Sequence, residues 1–142
     1  MRALALVLIF VASPALALEQ TQIQAACYTD CEKETHSSPE YKAWLARAAD
    51  TADALLNDEC QTLQQGINAA AKEMDVKPDA QLGMLKDAQR QWIEFRDKNC
   101  DFEDGIAFGA TATGGYASSC ICALSYERTN DFDRIRHSVL GQ

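Results

Sequence analysis

Between Leu82 and Cys100 the apolar residues Leu82, Leu85, Ala88, Trp92 and Phe95 recur at spacings of three and four. On a helix that spacing gathers them into one stripe and turns Lys86, Asp87, Arg90, Glu94 and Lys98 to the other side. An amphipathic helix of this kind needs facing apolar surfaces, so the segment constrains what the rest of the chain must supply. Arg90 with Glu94, and Glu94 with Lys98, stand four apart and are expected to pair along the wet face, each pair contributing about 0.2 to 0.5 kcal/mol. Arg96 falls beside Gln89 and Trp92 at the stripe's edge, where a guanidinium needs an acid or a carbonyl from another helix to offset its desolvation.

The remaining chain offers such surfaces with the same period. Tyr41, Trp44, Leu45, Ala48, Ala52, Leu55, Leu56, Cys60, Leu63, Ile67, Ala70 and Met74 predict one long bundle helix with Cys60 facing inward. Gly66 is a candidate break in it, since glycine inside a helix costs about 1 kcal/mol against alanine. The start is marked by Ser37 three before Glu40, a capping box, or by Ser38 ahead of Pro39. Val76-Lys77-Pro78-Asp79 reads as the reversal that follows. A short first helix is expected from Glu19 to about Glu34, with Ile23, Cys27 and Cys31 on one side, and a last helix turns Cys120, Leu124, Phe132, Ile135 and Val139 to the core. Together these segments predict an all-α fold, an antiparallel helical bundle of about four helices, the long ones near 40–75, 80–100 and 117–138. From Asp101 to Tyr116, Gly105, Gly109, Gly114 and Gly115 predict a loop of about fifteen residues, a length that is often functional.

Met1-Arg2, the apolar run Ala3 to Ala12 and the small-residue end Ala15-Leu16-Ala17 have the layout of a secretory signal peptide over 1–17, leaving one domain over 18–142. The run is too short to span a membrane. Gln24-Ala25-Ala26 ahead of Cys27 lacks the apolar residue of a lipid-attachment box, so the expectation is an unanchored periplasmic or secreted protein. The chain carries 13 basic and 21 acidic residues, a formal net charge of −8. That balance argues against nucleic acid, whose phosphates need a positive field, and suits a basic protein partner. Export makes the even set Cys27, Cys31, Cys60, Cys100, Cys120 and Cys122 a disulfide framework of up to three bridges. Cys27-x3-Cys31 and Cys120-x-Cys122 with His36 or His137 as metal ligands is the weaker reading, because a C-x2-C pair is missing. Cys27 and Cys31, a helical turn apart, are poorly placed to bond each other.

For catalysis the chain offers little. His36 and His137 are the neutral-pH bases, and no nucleophile elbow, zinc-protease motif or phosphate loop accompanies them. The expectation is a non-enzymatic protein without a cofactor or catalytic metal. Trp44, Trp92, Phe95 and Tyr41 read as core. Asp53, Asn57 and Arg96 read as a buried polar cluster between the two long helices.

The run AQRQWIEFRDKNC from Ala88 to Cys100 resembles the signature of the LprI-like family of small exported bacterial proteins. Asp53-Ala54-Leu55-Leu56-Asn57 is similar to that family's upstream motif, and Gly114-Gly115, Cys120, Leu124, Ser125 and Arg128 to its final glycine loop and helix. The resemblance makes Asp53, Asn57, Gln89, Trp92, Arg96, Asp97 and Arg128 family-motif residues, expected to be structural. Cys100 is expected to pair with Cys120, closing a loop of about twenty residues and contributing about 3 kcal/mol by chain entropy. Cys27 and Cys31 would then divide between Cys60 and Cys122. The resemblance also implies a binding protein that inhibits lysozyme or a related peptidoglycan hydrolase, and the acidic charge of the chain together with the glycine loop makes Asp101, Glu103 and Asp104 the candidate contacts with such a basic partner. The alternative is a non-enzymatic structural or assembly accessory of the envelope.

Overall fold

The computed structural model describes residues 19–29, 37–109 and 114–142. The expected signal peptide, Cys31, His36 and the middle of the glycine loop lie outside these residues. Helix α1, Gln20–Gln24, runs into a π-helical turn, Ala25–Thr29; α2 is Ser38–Glu73, α3 Asp79–Gly105 and α4 Gly115–Leu140. The fold is all-α, and successive long helices reverse direction.

Helix α2 starts where its sequence says it should. Ser37 is extended at the N-cap, its Oγ accepts the Glu40 N–H at 3.4 Å and lies 3.0 Å from the Glu40 carboxylate. Its end is a Schellman motif. Asp75 takes the left-handed conformation (φ 52°), the Asp75 N–H donates to the Lys72 carbonyl and the Val76 N–H to that of Ala71. A short polar residue tolerates that conformation better than most, and the motif satisfies carbonyls the helix would otherwise leave unpaired.

Because α2 and α4 both run opposite to α3, they run parallel to each other, and this parallel pair forms the most extensive helix contact. Gly115 meets Leu45 at one end, a Cβ there standing 3.0 Å from Leu45 Cδ1. Gly66 lies at the other end under Leu140 and Gln142, where a Cβ would come within 2.5 Å of Gln142 Oε1. The helix passes through Gly66 unbroken, so this glycine serves close approach and not the expected kink. Between these ends lie two core layers. One joins Ile23, Cys27, Ala49, Ala52, Cys122 and Tyr126; the other joins Leu56, Leu63 and Phe132 with Ile67, Leu85, Trp92 and Ile135 at its edge. Arg136 ties the pair further, donating to Glu59 at 2.9 Å and to Asp133 at 2.6 Å.

Cys120 and Cys122 lie two apart on α4, so they point to opposite sides of the helix and cannot serve one site. Cys120 bonds Cys100 on α3, as expected, and Cys122 bonds Cys27 beyond α1. Thus α4 is clamped from both sides. Cys60, expected in a third bridge, is a free thiol.

Helix α3 is rotated relative to the stripe read from its sequence. Its inward line is Leu85, Gln89, Trp92, Arg96 and Cys100, with Arg96 and Cys100 buried. The Cys100 bridge and the Arg96 contacts described below set that rotation, and they leave Ala88 exposed and Phe95 59% exposed. Leu55, Met74 and Val139, expected inward, are also exposed. Along the wet face Lys98 donates to Glu94 at 2.6 Å, and this hydrogen bond holds Glu94 below the usual carboxylate range. Arg90 turns to Asp87 at 3.6 Å and not to the expected Glu94.

Candidate functional site

Most of the motif residues meet at one junction of the three long helices. Arg96 on α3 is 7% exposed and spends every donor nitrogen locally. Its Nη1 donates to Asp53 of α2 at 2.5 Å and to the Ser125 hydroxyl of α4 at 3.0 Å, while Nε and Nη2 donate to Asp97 at 3.0 and 2.8 Å. The Ser125 hydroxyl donates in turn to Asp53 at 2.7 Å. A buried guanidinium thus faces two carboxylates that are themselves about half exposed, which keeps the acids hydrated while the cation is fully satisfied.

Trp92 lies one turn away between two cations. The Arg96 guanidinium carbon is 5.3 Å from its ring centre and that of Arg128 5.7 Å. Arg128 also stacks on Phe132 at 4.5 Å and donates from Nε to Gln89 Oε1 at 3.2 Å. Burial lowers the pKa of Arg128, opposed by Asp131 and the Cys60 sulfur. The aromatic faces and the Gln89 carbonyl supply the electron density that water would otherwise give this cation. Asn57, expected in the cluster, is exposed and takes no part. Ser125 occupies the place assigned to it.

The opposite feature, an exposed one, gathers at the far end of α3. That helix continues through Gly105, so Asp101, Glu103 and Asp104 are helical and not on a loop as expected. Asp104 accepts the Gly114 N–H at 2.5 Å and so fixes the entry to α4. Glu103 accepts from Asn99 at 3.0 Å, and Asp101 is exposed. Around them stand large apolar side chains in water: Phe102 at 64%, Ile106 at 51%, Phe108 at 92% and Tyr116 at 46% exposure. Phe95, Phe102 and Ile106 recur at seven and four, so they continue one outward line on α3. Phe108 takes a left-handed conformation (φ 49°), unusual for a bulky residue and a cost that no burial of its ring offsets. Singly exposed apolar residues need no explanation; several of them at one end of a helix, with acids beside them, make that end a candidate interaction surface.

No described helix is long and apolar enough to cross a membrane. No solved structure matches the chain. An uncharacterised protein of Rhizobium meliloti (strain 1021) is 31% identical over 91 residues, a match covering 62% of this chain and 66% of that protein. The family model described as lysozyme inhibitor LprI matches residues 19–132. That span contains the Arg96 junction, both disulfides and the aromatic end, and the chain belongs to the LprI family.

Proposed function

We propose that this protein is an exported, non-enzymatic inhibitor that binds a basic, lysozyme-type peptidoglycan hydrolase and covers its cleft. The observation that carries this reading is the aromatic end of α3, Phe102, Ile106, Phe108 and Tyr116, with Asp101 and Glu103 beside it. Aromatic anchors supply most of the energy in such interfaces, while rim acids on a chain of net charge −8 speed encounter with a cationic enzyme. The family description points to the same target. Two disulfides suit an oxidising compartment, periplasmic or extracellular. Of the three acids expected to meet the partner, Asp104 serves the fold, and Asp101 and Glu103 carry the rim.

The test is lysis of a peptidoglycan suspension by lysozyme at low salt, with binding followed in parallel. The oxidised protein at micromolar concentration is expected to slow lysis. Asp101→Asn with Glu103→Gln lowers the association rate, and raising salt does the same, since the Debye length falls to about 8 Å at physiological ionic strength. Phe102→Ser with Phe108→Ser raises the dissociation rate, and both side chains are exposed enough for the fold to survive. A protein that neither binds lysozyme nor slows lysis under these conditions refutes inhibition of that enzyme and leaves the envelope accessory role.

A further inference from the structure

Helix α3 leans on α4 and touches α2 only lightly, so the first half of α3 stands away from α2 over a cleft of about 570 Å³. Its walls are Cys60 and Gln64 of α2 and one face of α3, where Leu82, Leu85 and Ile93 form the apolar floor. Lys86 and Arg90 stand on the same wall, one helical turn apart, and no Asp or Glu lines the cleft. In a chain with 21 acids and 13 bases, a wall with two cations and no acid departs from the general surface. Lys86 has no ion-pair partner among the described residues, and Arg90 holds only Asp87, at 3.6 Å, with both side chains more than 60% exposed. The volume falls in the range of small-molecule sites, about 300–1,000 Å³. The floor extends about 16 Å from Leu82 to Ile93 at 1.5 Å per residue.

An elongated apolar trough with cations along one side fits a molecule with an aliphatic tail and one anionic head. Arg90 offers the fork that receives a carboxylate through two parallel hydrogen bonds, and Lys86 adds a second charge. We infer that the α2–α3 cleft binds a single-chain aliphatic carboxylate, its tail along Leu82, Leu85 and Ile93 and its head at Lys86 and Arg90. This site is separate from the aromatic end, and its occupancy does not depend on whether the protein inhibits a hydrolase.

The free thiol of Cys60 on the cleft wall provides a reporter. The oxidised protein is titrated calorimetrically with sodium dodecanoate below its micelle concentration, with dodecanol as the uncharged comparator. In parallel, alkylation of Cys60 by N-ethylmaleimide is timed and located by peptide mapping. One saturable site is expected, with Cys60 alkylation slowed as the site fills. Lys86→Gln with Arg90→Gln, both exposed positions, weakens dodecanoate by about tenfold or more, the scale of one lost charge-assisted contact. Ile93→Lys blocks the floor and abolishes binding, while circular dichroism confirms the fold of each variant. The inference is overturned if dodecanoate does not bind, if dodecanol binds equally well, or if binding leaves the Cys60 rate unchanged. It is also overturned if sedimentation shows a dimer that Ile93→Lys dissociates, since a second copy would then fill the cleft.

Discussion

Removing the Asp53 carboxylate leaves Arg96 buried with fewer partners, and the structure allows the cost to be worked out. Asp53→Ala deletes the acceptor for Arg96 Nη1 at 2.5 Å and for Ser125 Oγ at 2.7 Å. A hydrogen bond to a charged group contributes about 1.5–3 kcal/mol, and breaking a fully buried ion pair costs about 3–5 kcal/mol. Here Asp97 still holds two of the guanidinium nitrogens, and the Asp53 side chain is 41% exposed, so water offsets part of the loss. The expected destabilisation is about 2 kcal/mol, a fall in Tm on the order of 8 °C for a domain of this size. Urea unfolding of the oxidised protein, followed by Trp92 fluorescence in a Trp44→Phe background, measures it. Arg96→Met keeps apolar volume against Trp92 and removes the cation. In the double variant no buried guanidinium is left short of an acceptor, so the two effects should fall short of additivity by about 1 kcal/mol or more. A cost below about 0.5 kcal/mol for Asp53→Ala, or additivity within about 0.3–0.5 kcal/mol, would refute the claim that the junction acts as one energetic unit.

Other perturbations separate the remaining contributions. Cys100→Ser with Cys120→Ser opens a loop of sequence separation 20 and should cost about 3 kcal/mol in equilibrium unfolding. Gly66→Ala gains helix propensity of about 1 kcal/mol but drives a methyl group against Leu140 and Gln142. Both contacts are the far ends of flexible side chains, Gln142 being exposed at the last position, so they can turn aside and the net effect in denaturant melts should be a stabilisation of less than about 1 kcal/mol. Glu94 gains its partner Lys98 in the fold, so any contribution is present above its unfolded pKa and fades as pH falls through the lowered folded value. Because Glu94 is fully exposed, Glu94→Gln should leave acid unfolding, followed by circular dichroism, unchanged.

Helix positions were legible because a three-four period survives any detail of packing; Ser37, Pro39 and Glu40 placed the start of α2 to within a residue. The rotation of α3 was not. Hydropathy ranks Phe95 above Gln89 and Arg96, yet a disulfide at Cys100 and a salt bridge at Arg96 bring the polar side inward and leave Phe95 in water. Two contacts held by specific bonds outweigh the transfer of one aromatic ring. The Asp53–Arg96 pair followed from charge pairing, whereas Ser125 was legible only through the family resemblance, since a small hydroxyl on an apolar face otherwise reads as neutral filler. The acids at 101–104 looked like loop residues because of the glycines after them, but the helix ends only beyond Gly105. The exposed cluster at Phe102, Ile106 and Phe108 was hidden for the same reason, its residues being read as part of that loop. Cys60 was assigned to a bridge by even counting, which takes no account of where its helix places the thiol.

The motif by which this chain resembles its family is largely consumed by architecture. Every nitrogen of Arg96 is already engaged within the chain, Trp92 lies between two guanidinium groups, and Cys100 and Cys120 are bonded to each other. Residues so committed fix how α3 meets α2 and α4, and with it where the far end of α3 points. On the proposed reading recognition falls to side chains outside the motif, and among the described residues the large apolar side chains exposed at that end are Phe102, Ile106, Phe108 and Tyr116. Variants of the junction should accordingly act through stability, with target affinity recovering whenever the fold is restored. Variants of the aromatic end should leave stability within about 0.5 kcal/mol and act on the dissociation rate alone. A family defined by its junction can thus hold one fold while its members differ in target, because the two sets of residues answer to different physical demands.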